Sequence, residues 1–186
     1  MILIGLGGNL PSAQFGAPRV TLEAALAALA GAGVTVRQRS HWYRSTPVPD
    51  NGQPDFVNGV AELATALAPG DLLALLLGIE QHFGRVRTQR WAPRVLDLDL
   101  LAHHDTVRWG SGAAVEPPIL PHPRLHQRAF VLFPLAEIAP EWRHPVLGRT
   151  ARELLTALSP GQYVASFDED GEPAAAGSVA GSRAVG

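Results

Sequence analysis

Two prolines set the frame of this chain. Pro18 and Pro69 each stand where the first turn of a helix accepts proline, and each opens a run of apolar residues at helical spacing. The first run carries Leu22, Ala25, Leu26 and Leu29 and ends at Gly31 and Gly33. The second carries Leu72, Leu76, Ile79 and Phe83. Strand-like segments flank both: residues 1–6, Val34 to Tyr43, Phe56 to Leu67, and Val95 to Leu101. The order β-α-β-β-α-β predicts an α+β ferredoxin-like sandwich, an antiparallel sheet with both helices on one face. Beyond it come a short apolar segment, Ala129 to Ile138, and a capping box at Thr150 and Glu153 that predicts a last helix through Leu158. Residues 1–166 read as one domain. Residues 167–186, mostly Ala, Gly and Ser from Gly171 onward, read as a disordered tail.

Composition narrows the function classes. An apolar share of 46% over 186 residues fits one core. No apolar stretch approaches the ~18 residues of a membrane span, and the chain opens on a strand-like run rather than a basic leader. There is no cysteine, which excludes disulfides, thiolate catalysis and cysteine-based zinc sites. The expectation is a cytoplasmic monomer with small-molecule partners. A net charge of −2 provides no basic field for nucleic acid. All 15 basic residues are Arg, which grips phosphate bidentately where it clusters.

The strongest local signal is Leu96-Asp97-Leu98-Asp99-Leu100. Side chains alternate along a strand, so the two aspartates share one face. Asp is depleted in strands, and two on one face repel unless a cation sits between them. Hard oxygen ligands suit Mg²⁺, which takes one or two carboxylates plus substrate phosphates. A solvated sheet face would explain the pair equally well by itself. The preceding loop tips the balance: Arg85, Arg87, Arg90 and Arg94 lie just before the aspartates, with Trp91 among them and Gly84 and Pro93 as brackets. A polyphosphate with Mg²⁺ would satisfy both sets of charges. Phe56 and Asn58 point the same way on a strand, an aromatic face beside an amide that suits a flat heterocycle. His122 lies between two prolines, followed by Arg124, Arg128 and Phe130. His103 and His104 are given no role, and the seven histidines are read as holding no zinc-ligand spacing.

Together these segments resemble the 6-hydroxymethyl-7,8-dihydropterin pyrophosphokinases of folate synthesis, from about residue 2 to residue 158. Arg90-Trp91-Ala92-Pro93-Arg94 with Leu96-Asp97-Leu98-Asp99 looks like the family signature R-W-x-P-R-x-L-D-L-D. Gln53 to Asn58 resembles Q-P-x-[FY]-x-N, and Ile79-Glu80 with Gly84 to Arg87 resembles I-E…G-R-x-R. Pro121-His122 through Phe130 resembles P-H…R-x-F, and Pro134 to Pro140 resembles P-L-x-E-I-A-P. Gly7-Gly8-Asn9 replaces the usual G-S-N and loses a hydroxyl.

The resemblance implies that Asp97 and Asp99 hold two Mg²⁺ ions on the triphosphate of ATP. It implies that Phe56 and Phe130 sandwich a pterin, with Asn58 on its edge and Thr46 and Val48 beside it. Arg85, Arg94, His122 and Arg128 would contact ATP, with Arg85 and Arg94 acting in catalysis. Arg87, Arg90 and Trp91 would ride on a closing loop, and Glu80 would lie near the nucleotide. No residue reads as a general base. Two other readings remain at this point: another Mg²⁺-dependent phosphotransferase on this fold, and a non-catalytic RNA-binding module. The first leaves Phe56, Asn58 and Phe130 unexplained. The second needs exposed aromatics in a basic setting, not two acids.

Overall fold

The computed structural model describes residues 1–47, 52–85, 92–108 and 117–167. The first half follows the expected order: β1 (Ile2–Gly8), α1 (Pro18–Gly31), β2 (Thr35–Arg39), β3 (Tyr43–Ser45), β4 (Phe56–Ala64), α2 (Pro69–His82) and β5 (Asp97–His103). Then come α3 (Ala129–Ile138), α4 (Ala151–Thr156) and β6 (Val164–Ser166). Neither α1 nor α2 has a side-chain N-cap, and proline opens both. A missing N–H costs nothing there, because the first helical N–H groups have no intrahelical partner anyway. After α1, Gly33 takes a φ of +81°, a left-handed turn that glycine adopts without strain.

The strands pair antiparallel in the order β5-β1-β4-β3-β6, with β2 also on β4. This is the ferredoxin-like arrangement, α1 and α2 covering one face. Ile2, Ile4 and Leu6 of β1 meet Leu98 and Leu100 of β5 there, against Leu22, Leu29, Leu72 and Leu76. Alternation sends Leu3, Val60 and Leu101 to the opposite face, where α3 and α4 cover them with Leu132, Leu135 and Leu154. The sheet is thus sandwiched between two helix layers, and the site lies on the α3 side. Among the described residues no helix is long and apolar enough to cross a membrane.

Three local expectations change. The strand read from Val34 to Tyr43 is two strands. Between them the Ser40 amide still bonds the Val60 carbonyl at 2.9 Å, but Val60 N–H turns to the Ser40 hydroxyl at 3.1 Å. A side chain replaces the backbone in the ladder, and Trp42 rotates into the core, where it is 3% exposed. The apolar segment after Arg128 is the helix α3. β6, too short for a periodic signal, was not expected. The capping box forms as read, with Glu153 N–H on the Thr150 hydroxyl at 3.1 Å and Thr150 N–H on the Glu153 carboxylate at 2.7 Å. Residues 168–186, nearly all of the expected tail, lie outside the described residues.

Trp42 fits only because Gly59 faces it: a Cβ at Gly59 would sit 2.8 Å from the indole ring. Gly59→Ala should therefore lower the urea unfolding free energy by about 1–3 kcal/mol, the cost of overpacking. Combining it with Trp42→Phe, which makes room, should cost clearly less than the two single changes added together. Strict additivity in that double-mutant cycle would show that the ring does not set the limit.

Candidate active site

The chemistry-bearing side chains converge because three adjacent strands share a register. Asn58 of β4 lies across from Gly7 of β1, and Gly7 lies across from Asp97 of β5. One step along, Val60, Gly5 and Asp99 form the next row. Neighbouring strands stand about 4.8 Å apart, so Asn58 and Asp97 flank a slot about 10 Å wide. Glycine floors that slot. A Cβ at Gly7 would approach the Asn58 side-chain oxygen to 3.2 Å, and one at Gly5 would touch Leu101. Above it opens a cavity of about 980 Å³ bounded by β1, β4, β5 and the start of α3.

The acid side of the cavity is a charge network. Glu80, on α2 and 2% exposed, accepts the Leu98 amide at 2.7 Å and pairs with Arg85. Arg85 also donates to one oxygen of Asp97 at 2.5 Å, and Arg94 donates to the other at 2.6 Å. Burial tends to lower the Arg85 pKa, but Asp97 and Glu80 outweigh it and hold the guanidinium above its usual value. The expected Asp97-Arg85-Arg94 cluster is thus assembled, with Glu80 bound to protein groups beneath it. Arg87, Arg90 and Trp91 lie outside the described residues. Asn9 ties the loops together: it accepts the Arg94 amide at 2.8 Å and donates to Gln53 and to the Pro54 carbonyl.

Asp99 has less support. Among the described residues its ion-pair partner is Arg128, at 3.7 Å. Burial first, then Asp97, push its pKa up to about 6. A carboxylate held uncomfortably beside another, opening on a cavity, suits a hard divalent cation. No group of three or more metal-holding side chains forms among the described residues. The donor set fits Mg²⁺.

The opposite side is aromatic and amide. Phe56 and Phe130 both line the cavity, as does Thr46, while Val48 lies outside the described residues. Asn58 is 4% exposed and donates to the Ser45 hydroxyl at 2.9 Å, which turns its carbonyl end towards Gly7. The Arg128 guanidinium lies 5.5 Å from the Phe130 ring. His122 accepts the Arg124 amide at Nδ1, 3.2 Å, which leaves the ring hydrogen on Nε2. Burial, then Arg128 and Arg124, push its pKa down to about 4, so it is neutral at physiological pH. His122 and His126 do stand four residues apart, contrary to the expectation of no such spacing. They diverge around a 3₁₀ turn, Leu125–Gln127, and His126 packs its ring 5.8 Å from His144 instead.

Sequence reasoning named Gly7 and Arg124 without placing them on the cavity wall, and it missed the slot-forming Gly5, the Ser45 hydroxyl and Gln162. The glycines carried a signal: glycine at alternate positions of a strand marks a close approach. Ser45 and Gln162 carried none, because their roles depend on tertiary pairing.

The fold and this cavity define an α+β protein with a cleft walled by charged groups on one side and aromatic groups on the other, and the comparisons make its class specific. The family model for 7,8-dihydro-6-hydroxymethylpterin-pyrophosphokinase matches residues 3–140, and the chain belongs to that family. A 2-amino-4-hydroxy-6-hydroxymethyldihydropteridine pyrophosphokinase of Synechocystis is 43% identical over 154 residues, covering 82% of this chain and 73% of its own. The protein of the same name from Pseudomonas aeruginosa is 43% identical over 159 residues, covering 84% and 90%. Among solved structures, wild-type HPPK-DHPS of Plasmodium falciparum with pteroate superposes with a TM-score of 0.63 at 14% identity. That match covers 83% of this chain but spans only 43% of the longer one, and it speaks to the fold alone.

Glu80 generates a direct test. Glu80→Ala strips both Leu98 N–H and Arg85 of a buried partner and should cost about 2–4 kcal/mol in urea unfolding. Glu80→Gln keeps an acceptor for Leu98 and should cost less than half as much. Equal losses would mean that the charge pair alone, not the tether to β5, matters.

Proposed function

We propose that this chain transfers a pyrophosphoryl group from ATP to the hydroxymethyl group of 6-hydroxymethyl-7,8-dihydropterin, releasing AMP, as a monomer in the cytoplasm. The observation that carries this reading is the row Asn58–Gly7–Asp97, with an aromatic, amide-edged pocket and a carboxylate-guanidinium cluster in one cavity. A flat heterocycle between Phe56 and Phe130, bonded at its edge by Asn58, would direct its substituent along the slot towards Asp97 and Asp99. Thr46 and Val48 belong to the same half of the site.

On this reading the substrate hydroxyl oxygen attacks the β-phosphorus of ATP. The bond between that phosphorus and the oxygen bridging to the α-phosphate breaks, AMP leaves with that oxygen, and the hydroxyl proton passes to solvent. Transfer of this kind depends on positioning and charge neutralisation. Arg85 and Arg94 sit at the acid side, where charge develops during transfer. Arg128 and neutral His122 flank the other side as hydrogen-bond donors to phosphate or ribose. Glu80 holds Arg85 in place. Arg87, Arg90 and Trp91 would close over the nucleotide. Asp97 and Asp99 would hold two Mg²⁺ ions, which when bound supply neutralising charge at the transferring phosphates.

The test of the reaction is to supply ATP, Mg²⁺ and the pterin and to follow nucleotide products. AMP should appear in step with pterin consumption and vanish with EDTA; ADP instead would overturn the pyrophosphoryl assignment. The two aspartates should separate in a second measurement. Each Asp→Asn change should cut turnover by roughly a thousandfold, about 4 kcal/mol. Only Asp97→Asn should also lower stability, by about 1–3 kcal/mol, because it deprives Arg85 and Arg94 of their charged partner. Asp99→Asn relieves a like-charge neighbour, so its urea midpoint should hold or rise. Turnover within threefold of wild type in either variant would reduce the pair to a solvated sheet face.

A further inference from the structure

The segment after α4 lies outside residues 3–140, yet it reaches the cavity. The start of α3 explains why. This helix carries Phe130 in its first turn and Arg128 at its N-cap, and the Arg128 side chain caps nothing. The Ala129 N–H, one of the groups a helix start leaves unpaired, donates instead to Gln162 Oε1 at 2.9 Å. Gln162 Nε2 in turn donates to the Gln127 carbonyl at 2.9 Å. One amide side chain therefore clamps the backbone on both sides of Arg128. Two residues later Val164 pairs with Ser45, whose hydroxyl receives the Asn58 amide. The same short segment thus touches the supports of Phe130, Arg128 and Asn58.

We infer that Gln162 is a positioning residue for the pterin half of the site, acting as a cap supplied from a distant part of the chain. The inference rests on the function proposed above. By fixing Ala129 and Gln127, Gln162 sets the direction in which α3 leaves Arg128, and so the distance between the Phe130 ring and Phe56. It needs no contact with substrate to do so. Its loss loosens the ring-binding wall while the acid cluster on β5 stays as it is.

The experiment uses the full chain and two variants of similar side-chain length. Gln162→Met keeps the packing and removes both hydrogen bonds; Gln162→Glu restores an oxygen for Ala129 N–H. The Met variant should raise KM for the pterin by about five- to tenfold, the scale of a lost helix cap, with kcat changed less than about threefold. The Glu variant restores the bond to Ala129 N–H but sets an oxygen against the Gln127 carbonyl, so its KM should fall between those of the Met variant and wild type. A merely structural role would lower the amount of active enzyme, and hence the apparent kcat, without moving KM. A pterin KM in the Met variant within twofold of wild type overturns the inference, as does a Glu variant no better than Met. A Met variant that fails to fold also overturns it, since Gln162 would then serve the fold rather than the site. Amide exchange at Ala129 separates this inference from the proposed function. If the wild-type chain makes no AMP, the proposed function fails; exchange at Ala129 about tenfold faster in the Met variant still supports the cap, and unchanged exchange overturns it.

Discussion

The alternation of β5 is the constraint on which the site depends. Leu98 and Leu100 must enter the core under α1 and α2, and a strand has only two faces. Once the leucines are buried, Asp97 and Asp99 are forced to the other side, and a slip of one residue would bury both acids. Glu80 makes that register hard to lose. It receives the Leu98 amide and grips Arg85, which in turn grips Asp97. Helix α2, the edge strand β5 and the loop between them are therefore fastened at one point, and that point is the acid wall of the cavity.

The other wall comes from a different layer. A ferredoxin-like sheet covered on one face only would leave Leu3, Val60 and Leu101 exposed to water. Helices α3 and α4 bury them, and the start of α3 overhangs the strand ends where no leucine needs covering. The cavity is what remains there between helix and sheet, and the glycines of β1 deepen it. Phe130 and Arg128 belong to a helix whose packing is decided by the second core. Asp97 and Asn58 belong to strands whose register is decided by the first. The site is a junction of two cores, which is why small polar clamps such as Asn9, Ser45 and Gln162 recur around it.

Much of this was legible in the sequence, for identifiable reasons. Pro18 and Pro69 announced helices because proline tolerates few other helical positions, and the D-x-D alternation fixed a face without tertiary information. Thr150 and Glu153 formed their capping box because its partners are three residues apart. The split at Ser40 was hidden, because a hydroxyl takes over a ladder bond only once β4 lies beside it. β6 was hidden for a like reason: three residues hold no period, and what makes them a strand is the exposed edge of β3. The Arg-rich segment, read as a bed for polyphosphate, is already paired within the protein at both of its ends. Arg85 and Arg94 are already committed to Asp97, a pairing across 12 and 3 residues that composition cannot show.

That commitment bears on how charge is balanced on the proposed reading. Around the cavity, Arg85, Arg94, Arg124 and Arg128 stand against Glu80, Asp97 and Asp99. Among the described residues, four guanidiniums against three carboxylates leave little surplus for a triphosphate, which carries several negative charges. Arg85 turning to phosphate would also give up its ion pair with Glu80, a carboxylate only 2% exposed, which makes that move costly. On the proposed reading, countercharge comes from Arg87 and Arg90 and from an ion arriving with the substrate, and among the described residues Asp99 is the group suited to that ion. Its ion-pair partner among the described residues is 3.7 Å away, and its ionisation is opposed by burial and by Asp97. A divalent ion entering there with ATP would relieve that opposition and neutralise the phosphates together, so the same electrostatic discomfort that makes Asp99 a poor structural residue makes it a good partner for a metal-bound nucleotide.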